Sequence, residues 1–238
     1  QQWSGASVSP IWAVLAMLMT VFMIPAIPGT GPEVRGNGEM FPLNGPQWSL
    51  FFEYIGNILY ALVIRKMSTK ALKVLVAVSG ICLAAFSVFN FSGYWNLGVG
   101  WSLSGYNFPG GFLRMSFAFS MGLLMSRNFR PVKIRGAFWI CSAAVAVLLV
   151  IPYVGGTENS WMNGIYDALS TVVLFPAIVY LGAAGNAGGN TTSGICRFLG
   201  DISYPVYIIH YPSMYLFYSW VWKNELAFHQ VWPVAAGL

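Results

Sequence analysis

Long apolar runs separated by short polar segments constrain this chain more than any other feature of its sequence. About 20 helical residues cross the roughly 30 Å hydrocarbon core of a bilayer, and lipid offers no partner for an unpaired backbone group. Seven runs come near this length and an eighth starts near the last residue: Ile11–Ile27, Trp48–Ile64, Val74–Phe91, Phe112–Ser126, Ala137–Val154, Ile165–Ala184, Phe198–Trp222 and Val231–Leu238. The sequence therefore predicts an all-α fold, a polytopic transmembrane helix bundle with about seven complete spans plus a truncated eighth.

The composition excludes an ordinary soluble domain. Of the 238 residues, 57% are hydrophobic and only 8% are charged, whereas soluble domains carry roughly 25% charged residues. The three cysteines, Cys82, Cys141 and Cys196, form no CxxC pair. We therefore expect neither a metal site nor a disulfide framework.

Basic residues are concentrated on one side of the predicted bundle. Four lie in segment 65–73, four in segment 127–135 and one, Arg197, in segment 185–197, so nine of the twelve are in alternate connections. Cytoplasmic loops near the ends of spans carry this excess of Lys and Arg. The pattern predicts that residues 1–10 are cytoplasmic, and it explains the net charge of +5 without any nucleic acid partner.

The opposite connections, 28–46 and 92–111, are long and rich in glycine and aromatic residues. Such loops suit an extracytoplasmic substrate, although Trp and Tyr also concentrate at the membrane interface regardless of function. A second Trp-Ser-Leu at 101–103 repeats the one at 48–50 but lacks a following acidic residue, and we interpret it as chance.

Two ionisable residues lie inside the second and fourth predicted spans. Glu53 shares one helical face with three other polar residues: Ser49, Asn57 and Tyr60. That stripe is predicted to face the interior of the bundle, where Glu53 could be an acid, a base or half of an ion pair with Arg114. Arg114 could also snorkel to the interface, or bind an anionic part of a ligand.

The seventh run contains a histidine between two prolines, Pro205 and Pro212. Three residues share one helical face with this histidine, His210: Ser203, Tyr207 and Met214. The prolines should distort the helix and free backbone carbonyls. His210 could relay a proton or bind a hydroxyl, or be a satisfied structural group. Asp167 and Asp201 are predicted to cap the starts of their helices.

Two stretches resemble known motifs. NGPQWSLFFE at 44–53 resembles the Trp-Ser-Leu-x-x-Glu motif of acyltransferase family 3, and FLGDISYPVYIIHYP at 198–212 is similar to its Leu-Gly-x-x-Ser-Tyr-x-x-Tyr-x-x-His-x-Pro motif. Gly-Gly-x-x-Arg at 110–114 resembles the span between them. Tyr211 departs from the family, which often has Trp there.

The resemblance implies a membrane acyltransferase that moves an acyl group, expected to be acetyl, from cytosolic acyl-CoA to a hydroxyl of an extracytoplasmic or lipid-linked glycan. It implies a multi-pass protein of the bacterial inner membrane, without a permanently bound cofactor. Family members have a proposed catalytic histidine and an arginine-rich signal in their first spans, and no segment here matches those parts. We therefore expect residues 1–238 to form a single acyltransferase-3-like domain that is incomplete at its N-terminus and at its C-terminus.

The same resemblance assigns supporting catalytic roles to Glu53 and His210, while the main catalytic histidine is expected upstream. The residues it implies for substrate binding are Asn44, Trp48, Ser49, Asn57, Arg114, Ser203, Tyr204 and Tyr207. The inner basic loops could attract CoA phosphates. Two alternatives stay open: a transporter or flippase for a polar or lipid-linked substrate, and a non-catalytic membrane subunit.

Overall fold

The fold is all-helical in the computed structural model, which describes residues 8–132, 134–185 and 189–235. Those ranges contain no β-strand. Their helices are α1 (Pro10–Val21), α2 (Gln47–Leu62), a 3₁₀ turn (Ile64–Lys66), α3 (Thr69–Val88), α4 (Asn107–Arg127), α5 (Ala137–Val150), α6 (Trp161–Leu169), a π-helical segment (Ser170–Leu174), α7 (Phe175–Ala184), α8 (Asn190–Lys223) and α9 (Phe228–Ala235). The predicted all-α class is confirmed, and each of the seven predicted runs contains a helix.

The helices of the described ranges differ in their capacity to cross a bilayer. In the described ranges, two are long and apolar enough to cross a bilayer: Thr69–Val88 and the continuous stretch Trp161–Ala184. Helices α1 and α5 are apolar but have only 12 and 14 residues. Helix α1 ends before Met23, whose φ is 54°, and Pro25 and Pro28 follow, so this helix covers only the first part of the run Ile11–Ile27. Of the predicted eighth run, residues 236–238 lie outside the described residues.

The π-helical segment Ser170–Leu174 lies immediately before Pro176. A proline inside a helix lacks an N–H and its ring meets the carbonyl four residues earlier, here that of Val172. One widened turn accommodates the ring while the helix continues.

The two predicted aspartate caps are wrong. Asp167 lies beyond the first turn of α6, and its Oδ2 accepts a hydrogen bond from the backbone N–H of Leu97 at 2.5 Å. Asp201 lies well inside α8, because that helix begins at Asn190. Both errors follow from hydropathy, which places a helix start where the apolar residues begin.

The chain divides into two compact units. The first comprises Gln1–Phe51, Trp101–Ser104 and Gly200–Leu238, and the second comprises Phe52–Gly100 and Gly105–Leu199. The second has a core of buried side chains on α3, α4 and the segment between them: Val76, Leu83, Phe86, Leu97, Val99 and Phe117.

Two glycines at the start of α4 allow the closest packing in this second unit. A Cβ on Gly110 would lie 2.5 Å from Cγ2 of Val99, and a Cβ on Gly111 would lie 2.5 Å from Cε2 of Phe52 and 2.7 Å from Cα of Gly100. No larger residue fits at either position without displacing its neighbours. The Gly-Gly pair therefore brings the segment that ends at Gly100 directly onto the helix.

In the first unit, backbone and amide hydrogen bonds hold the segment between α1 and α2. The N–H of Ala26 donates to the carbonyl of Met40 at 2.8 Å, and the N–H of Met40 donates to the carbonyl of Trp101 at 2.9 Å. The side-chain amide of Gln47 donates to the carbonyl of Thr20 at 2.5 Å. Met40 is fully buried, so this segment is packed and gives fixed positions to the polar residues that flank it.

Candidate functional site

A carbonyl that Pro212 leaves unbonded anchors the start of α2 to α8. Proline has no N–H, so the carbonyl four residues earlier, that of Ile208, loses its helical donor. The side-chain Nδ2 of Asn44 lies 3.4 Å from this oxygen and donates to it. The prediction that the prolines of this helix free a carbonyl is confirmed at this position.

A second link joins the two motif stretches. The phenol of Tyr207 donates to the carbonyl of Pro46 at 2.7 Å, and the same oxygen is hydrogen-bonded to Oγ of Ser49. The hydroxyl of Ser49 also lies 3.2 Å from the carbonyl of Pro46, so both hydroxyls share this acceptor. The serine of the Trp-Ser-Leu motif and the central tyrosine of the second motif therefore form one network.

The ring of His210 is held by its own helix. Its Nδ1 lies 2.8 Å from the carbonyl of Tyr207 and 3.2 Å from that of Val206. A carbonyl only accepts hydrogen bonds, so the proton of the neutral ring lies on Nδ1. Nε2 then carries the lone pair, which makes it the nitrogen able to accept a proton or a hydrogen bond.

An ion pair in the segment between α1 and α2 lies in the same unit. Nη1 of Arg35 is 2.9 Å from Oε2 of Glu39, and their side chains are 25% and 12% exposed. The guanidinium also donates to the hydroxyl of Tyr215, with its Cζ 3.9 Å from the centre of that ring. Burial raises the pKa of the Glu39 carboxyl, while the charge of Arg35 acts in the opposite direction.

These elements line a partly open cavity of about 540 Å³, and its described lining residues belong to the first unit: Asn37, Glu39, Gly45, Pro46, Trp48, Trp101, Tyr207, His210 and Tyr211. Its volume is within the roughly 300–1,000 Å³ typical of small-molecule sites. The walls are mainly aromatic, with a carboxylate, an amide and an imidazole among them. Aromatic walls with a few directed polar groups are suited to a hydroxyl-bearing ligand of moderate size.

The structure brings five of the predicted site residues together in the first unit: Asn44, Trp48, Ser49, Tyr207 and His210. Ser203 and Tyr204 belong to the same unit but do not line the cavity. Both are exposed, and the hydroxyl of Ser203 donates to the carbonyl of Gly200 at 2.8 Å. Their predicted roles in substrate binding stay predictions.

The polar stripe predicted on α2 is half-buried at its first member, Ser49, and exposed beyond it. Glu53, Asn57 and Tyr60 are exposed, so the expectation that they face the interior of the bundle is wrong for the part of the chain that the structure describes. Phe52 and Gly56 lie on the packed face of this half of α2. Phe52 is buried, and Gly56, which has no side chain, leaves room for side chains of α4. A phenylalanine and a glycine gain more from close packing than a carboxylate does.

Arg114 binds the backbone of the segment that precedes α4. Its Nη1 donates to the carbonyls of Leu97 and Val99, each at 2.9 Å. These carbonyls lie beside the close contacts that Gly110 and Gly111 permit. The Gly-Gly-x-x-Arg pattern is thus explained by packing: the glycines admit the segment and the arginine satisfies its carbonyls.

Sequence reasoning missed several residues of the cavity. Glu39 had a usable signal, since it forms an i, i+4 pair with Arg35 in a segment with few charges. Trp101 belongs to the Trp-Ser-Leu repeat that we interpreted as chance, yet its carbonyl holds Met40 and its side chain lines the cavity. No group of three His, Cys, Asp or Glu residues suited to a metal occurs in residues 8–132, 134–185 and 189–235.

One comparison with known proteins identifies a relationship. The model of a protein family described as an acyltransferase domain matches residues 2–238. This match extends over nearly the entire chain and confirms the resemblance carried by the two motifs. Comparisons with curated proteins and with solved structures gave no match.

Proposed function

The chain belongs to acyltransferase family 3, and from this premise we propose that it is a membrane O-acyltransferase. It transfers an acyl group, expected to be acetyl, from cytosolic acyl-CoA to a hydroxyl of an extracytoplasmic or lipid-linked glycan. The hydroxyl oxygen forms a bond to the thioester carbonyl carbon, the carbon–sulfur bond breaks, and the hydroxyl proton is passed by way of a base to the leaving CoA thiolate.

The observation that supports this proposal is the cavity of about 540 Å³ in the first unit. Both family motifs contribute to it, through Trp48 on one side and Tyr207 and His210 on the other. Acyl transfer to a hydroxyl needs a group that accepts the hydroxyl proton or orients the hydroxyl. Nε2 of His210 is suited to that supporting role because its Nδ1 proton is held by backbone carbonyls.

We further propose that Glu53 has a supporting catalytic role, in which it orients the acceptor or the catalytic base. A carboxylate at lipid depth costs about 2.5 kcal/mol or more unless a polar group covers it. Glu53 is exposed in the described structure, so this role requires a partner on that face. The proposal that Asn57 binds substrate has the same requirement, since its side chain donates to the carbonyl of Glu53 at 3.0 Å and is likewise exposed.

The proposed location is the bacterial inner membrane, with several spans. Large apolar side chains are exposed on several helices, for example Ile11, Ile81, Val150 and Leu216, at 69–79%. Exposure of such groups to water is unfavourable by about 25 cal/mol per Å² of apolar surface, and lipid contact removes that cost. The basic segments 65–73 and 127–135 then lie at the cytoplasmic side, where CoA is found.

Release of CoA thiol tests the reaction. The purified protein in lipid nanodiscs is supplied with acetyl-CoA, with and without a mixture of oligosaccharides, and the acetylated glycan is identified by mass spectrometry. We expect thiol release that depends on glycan, and we expect Glu53→Gln to abolish it, while the exposed Glu158→Gln, on another outer segment, is unaffected. Uptake of substrate into proteoliposomes without any dependence on CoA would instead favour a transporter.

A further inference from the structure

Resting on the proposed function, we propose that the cavity of the first unit is the acceptor site and that Glu39 is its specificity-determining residue. In this assignment Glu39 accepts a hydrogen bond from a hydroxyl of an uncharged sugar ring. Anionic sugars are then disfavoured, and acyl-CoA binds elsewhere.

The charges at the cavity support an uncharged ligand. Among the described residues that line it, Glu39 is negative and none is a lysine or arginine. The guanidinium of Arg35 does not line the cavity, and its Nη1 binds Glu39 and Tyr215. The described wall therefore offers a phosphate or carboxylate group of a ligand an acceptor and no cationic donor. We expect CoA, with its several phosphates, and uronic acids to be poor ligands for this cavity.

The carboxylate of Glu39 is held in place before any ligand arrives. Arg35 binds its Oε2, and the ring and hydroxyl of Tyr215 hold the guanidinium in turn. A carboxylate has about four acceptor positions, so one ion pair leaves capacity for a hydroxyl donor. Because Glu39 is only 12% exposed, water competes little for those positions. The geometry gives a fixed, charged acceptor for one hydroxyl.

The walls of the cavity suit the apolar faces of a sugar ring. Trp48, Trp101 and Tyr211 line it beside the polar groups. The ring of Tyr211 lies against Gly45, where a Cβ would be 2.5 Å from its Cε1. Any larger residue at Gly45 would therefore push this wall inward. An aromatic cavity with few, directed polar groups combines apolar contact with selection of hydroxyl positions.

Glycan binding by the full chain in nanodiscs tests the assignment without requiring turnover. The probe is an array of neutral oligosaccharides together with oligosaccharides that contain uronic acids. We expect binding to neutral members, and a loss of about 10-fold to 100-fold in affinity for Glu39→Gln, because a hydrogen bond to a charged acceptor becomes one to a neutral amide. Glu158→Gln is the matched control and should bind as the unmodified protein does.

Thermal unfolding of each variant shows whether the effect comes from loss of the fold. If Glu39→Gln unfolds early, Trp101→Ala provides the second test, since it removes a cavity wall without touching the ion pair. Preference for uronic acids, equal binding by Glu39→Gln in a folded protein, or no binding by any oligosaccharide would each overturn the assignment.

Kinetics separate this inference from the proposed function. In the acetyl-CoA assay, Glu39→Gln should raise KM for the glycan about tenfold or more and leave KM for acetyl-CoA unchanged. Turnover with an unchanged KM for the glycan would overturn the acceptor site and leave the enzymatic function standing. Glycan binding that depends on Glu39, without any acyl transfer, would support the glycan site and overturn the enzymatic function.

Discussion

Polar side chains inside the two compact units have different partners. In the first unit, Glu39, Tyr207 and His210 line a cavity, and each is positioned by another group. In the second unit, two charged side chains bind the backbone of Leu97. The cationic Arg114 donates to its carbonyl, and the anionic Asp167 accepts from its N–H. The same kind of residue, charged and within an apolar chain, thus shapes a binding cavity in one unit and completes packing in the other.

This difference shows why a charged residue in an apolar helix is not by itself evidence of catalysis. An ionisable group at lipid depth needs a partner, but a backbone carbonyl meets that need as well as a substrate does. Two partners of Arg114 are carbonyls that the neighbouring Gly110 and Gly111 bring within reach. The partners of His210 leave one ring nitrogen for a ligand. The four predictions below test this contrast.

The largest expected effect is the loss of stability in Arg114→Ala. Removing two charge-assisted hydrogen bonds leaves the carbonyls of Leu97 and Val99 to find other donors, which should cost about 3 kcal/mol of unfolding free energy. Unfolding in detergent followed by circular dichroism measures it, with Arg114→Lys expected to recover part of the loss. A fully stable Arg114→Ala protein that has lost substrate affinity would place Arg114 in a binding site and end the contrast.

The second-largest expected effect is a loss of turnover in His210→Gln. If Nε2 takes part in proton transfer, His210→Gln lowers kcat about 100-fold, because an amide oxygen can accept a hydrogen bond but not a proton at neutral pH. His210→Asn, whose amide can replace the Nδ1 donor, controls for the contact with the carbonyl of Tyr207. Turnover by His210→Gln at the original rate would assign the histidine to hydrogen bonding alone.

The link between Asn44 and the carbonyl of Ile208 should appear as a coupling of about 1 kcal/mol. Pro212→Ala restores the missing N–H and gives that carbonyl a helical donor, so Asn44→Ala should cost less stability in the Pro212→Ala protein than in the original one. Oδ1 of Asn44 is buried without a partner in the described residues, and its removal is common to both backgrounds. A double-mutant cycle from unfolding measurements gives the coupling, and strictly additive effects would disprove the link.

The smallest effect concerns pH. The groups around Glu39 are Arg35, Glu33, Asn37 and Tyr215, with His210 on the same cavity. Burial raises the pKa of Glu39 above 4.5, so folding stability that comes from its protonated form is complete below pH 4.5 and falls as pH rises through the raised pKa.

Glycan affinity should change in the opposite direction, because the ionised carboxylate is the better acceptor. We expect affinity to fall as pH is lowered through the raised pKa, and Glu39→Gln to lose that part of the profile. Identical profiles for both proteins would show that Glu39 is not the group that titrates.

Much of the helical framework could be read from the sequence, because the apolar period and the prolines are local properties. Each predicted run contains a helix, and Pro212 frees the carbonyl expected of it. The predicted helix starts were less accurate, because a hydropathy pattern does not distinguish a polar first turn, such as that of α8, from a loop. The prediction of a buried polar stripe on α2 was wrong, because Phe52 and Gly56, on another face of this helix, pack better than Glu53 does.

The sequence by itself determined the helical class, the family and the residues of the two motifs, because composition, periodicity and motif order require no knowledge of contacts. Only the tertiary structure decided which polar groups meet. It joined Ser49 to Tyr207 across 158 positions and Arg35 to Tyr215 across 180, and it made Trp101 a cavity wall. Partners so distant along the chain come together through packing, which no local pattern specifies.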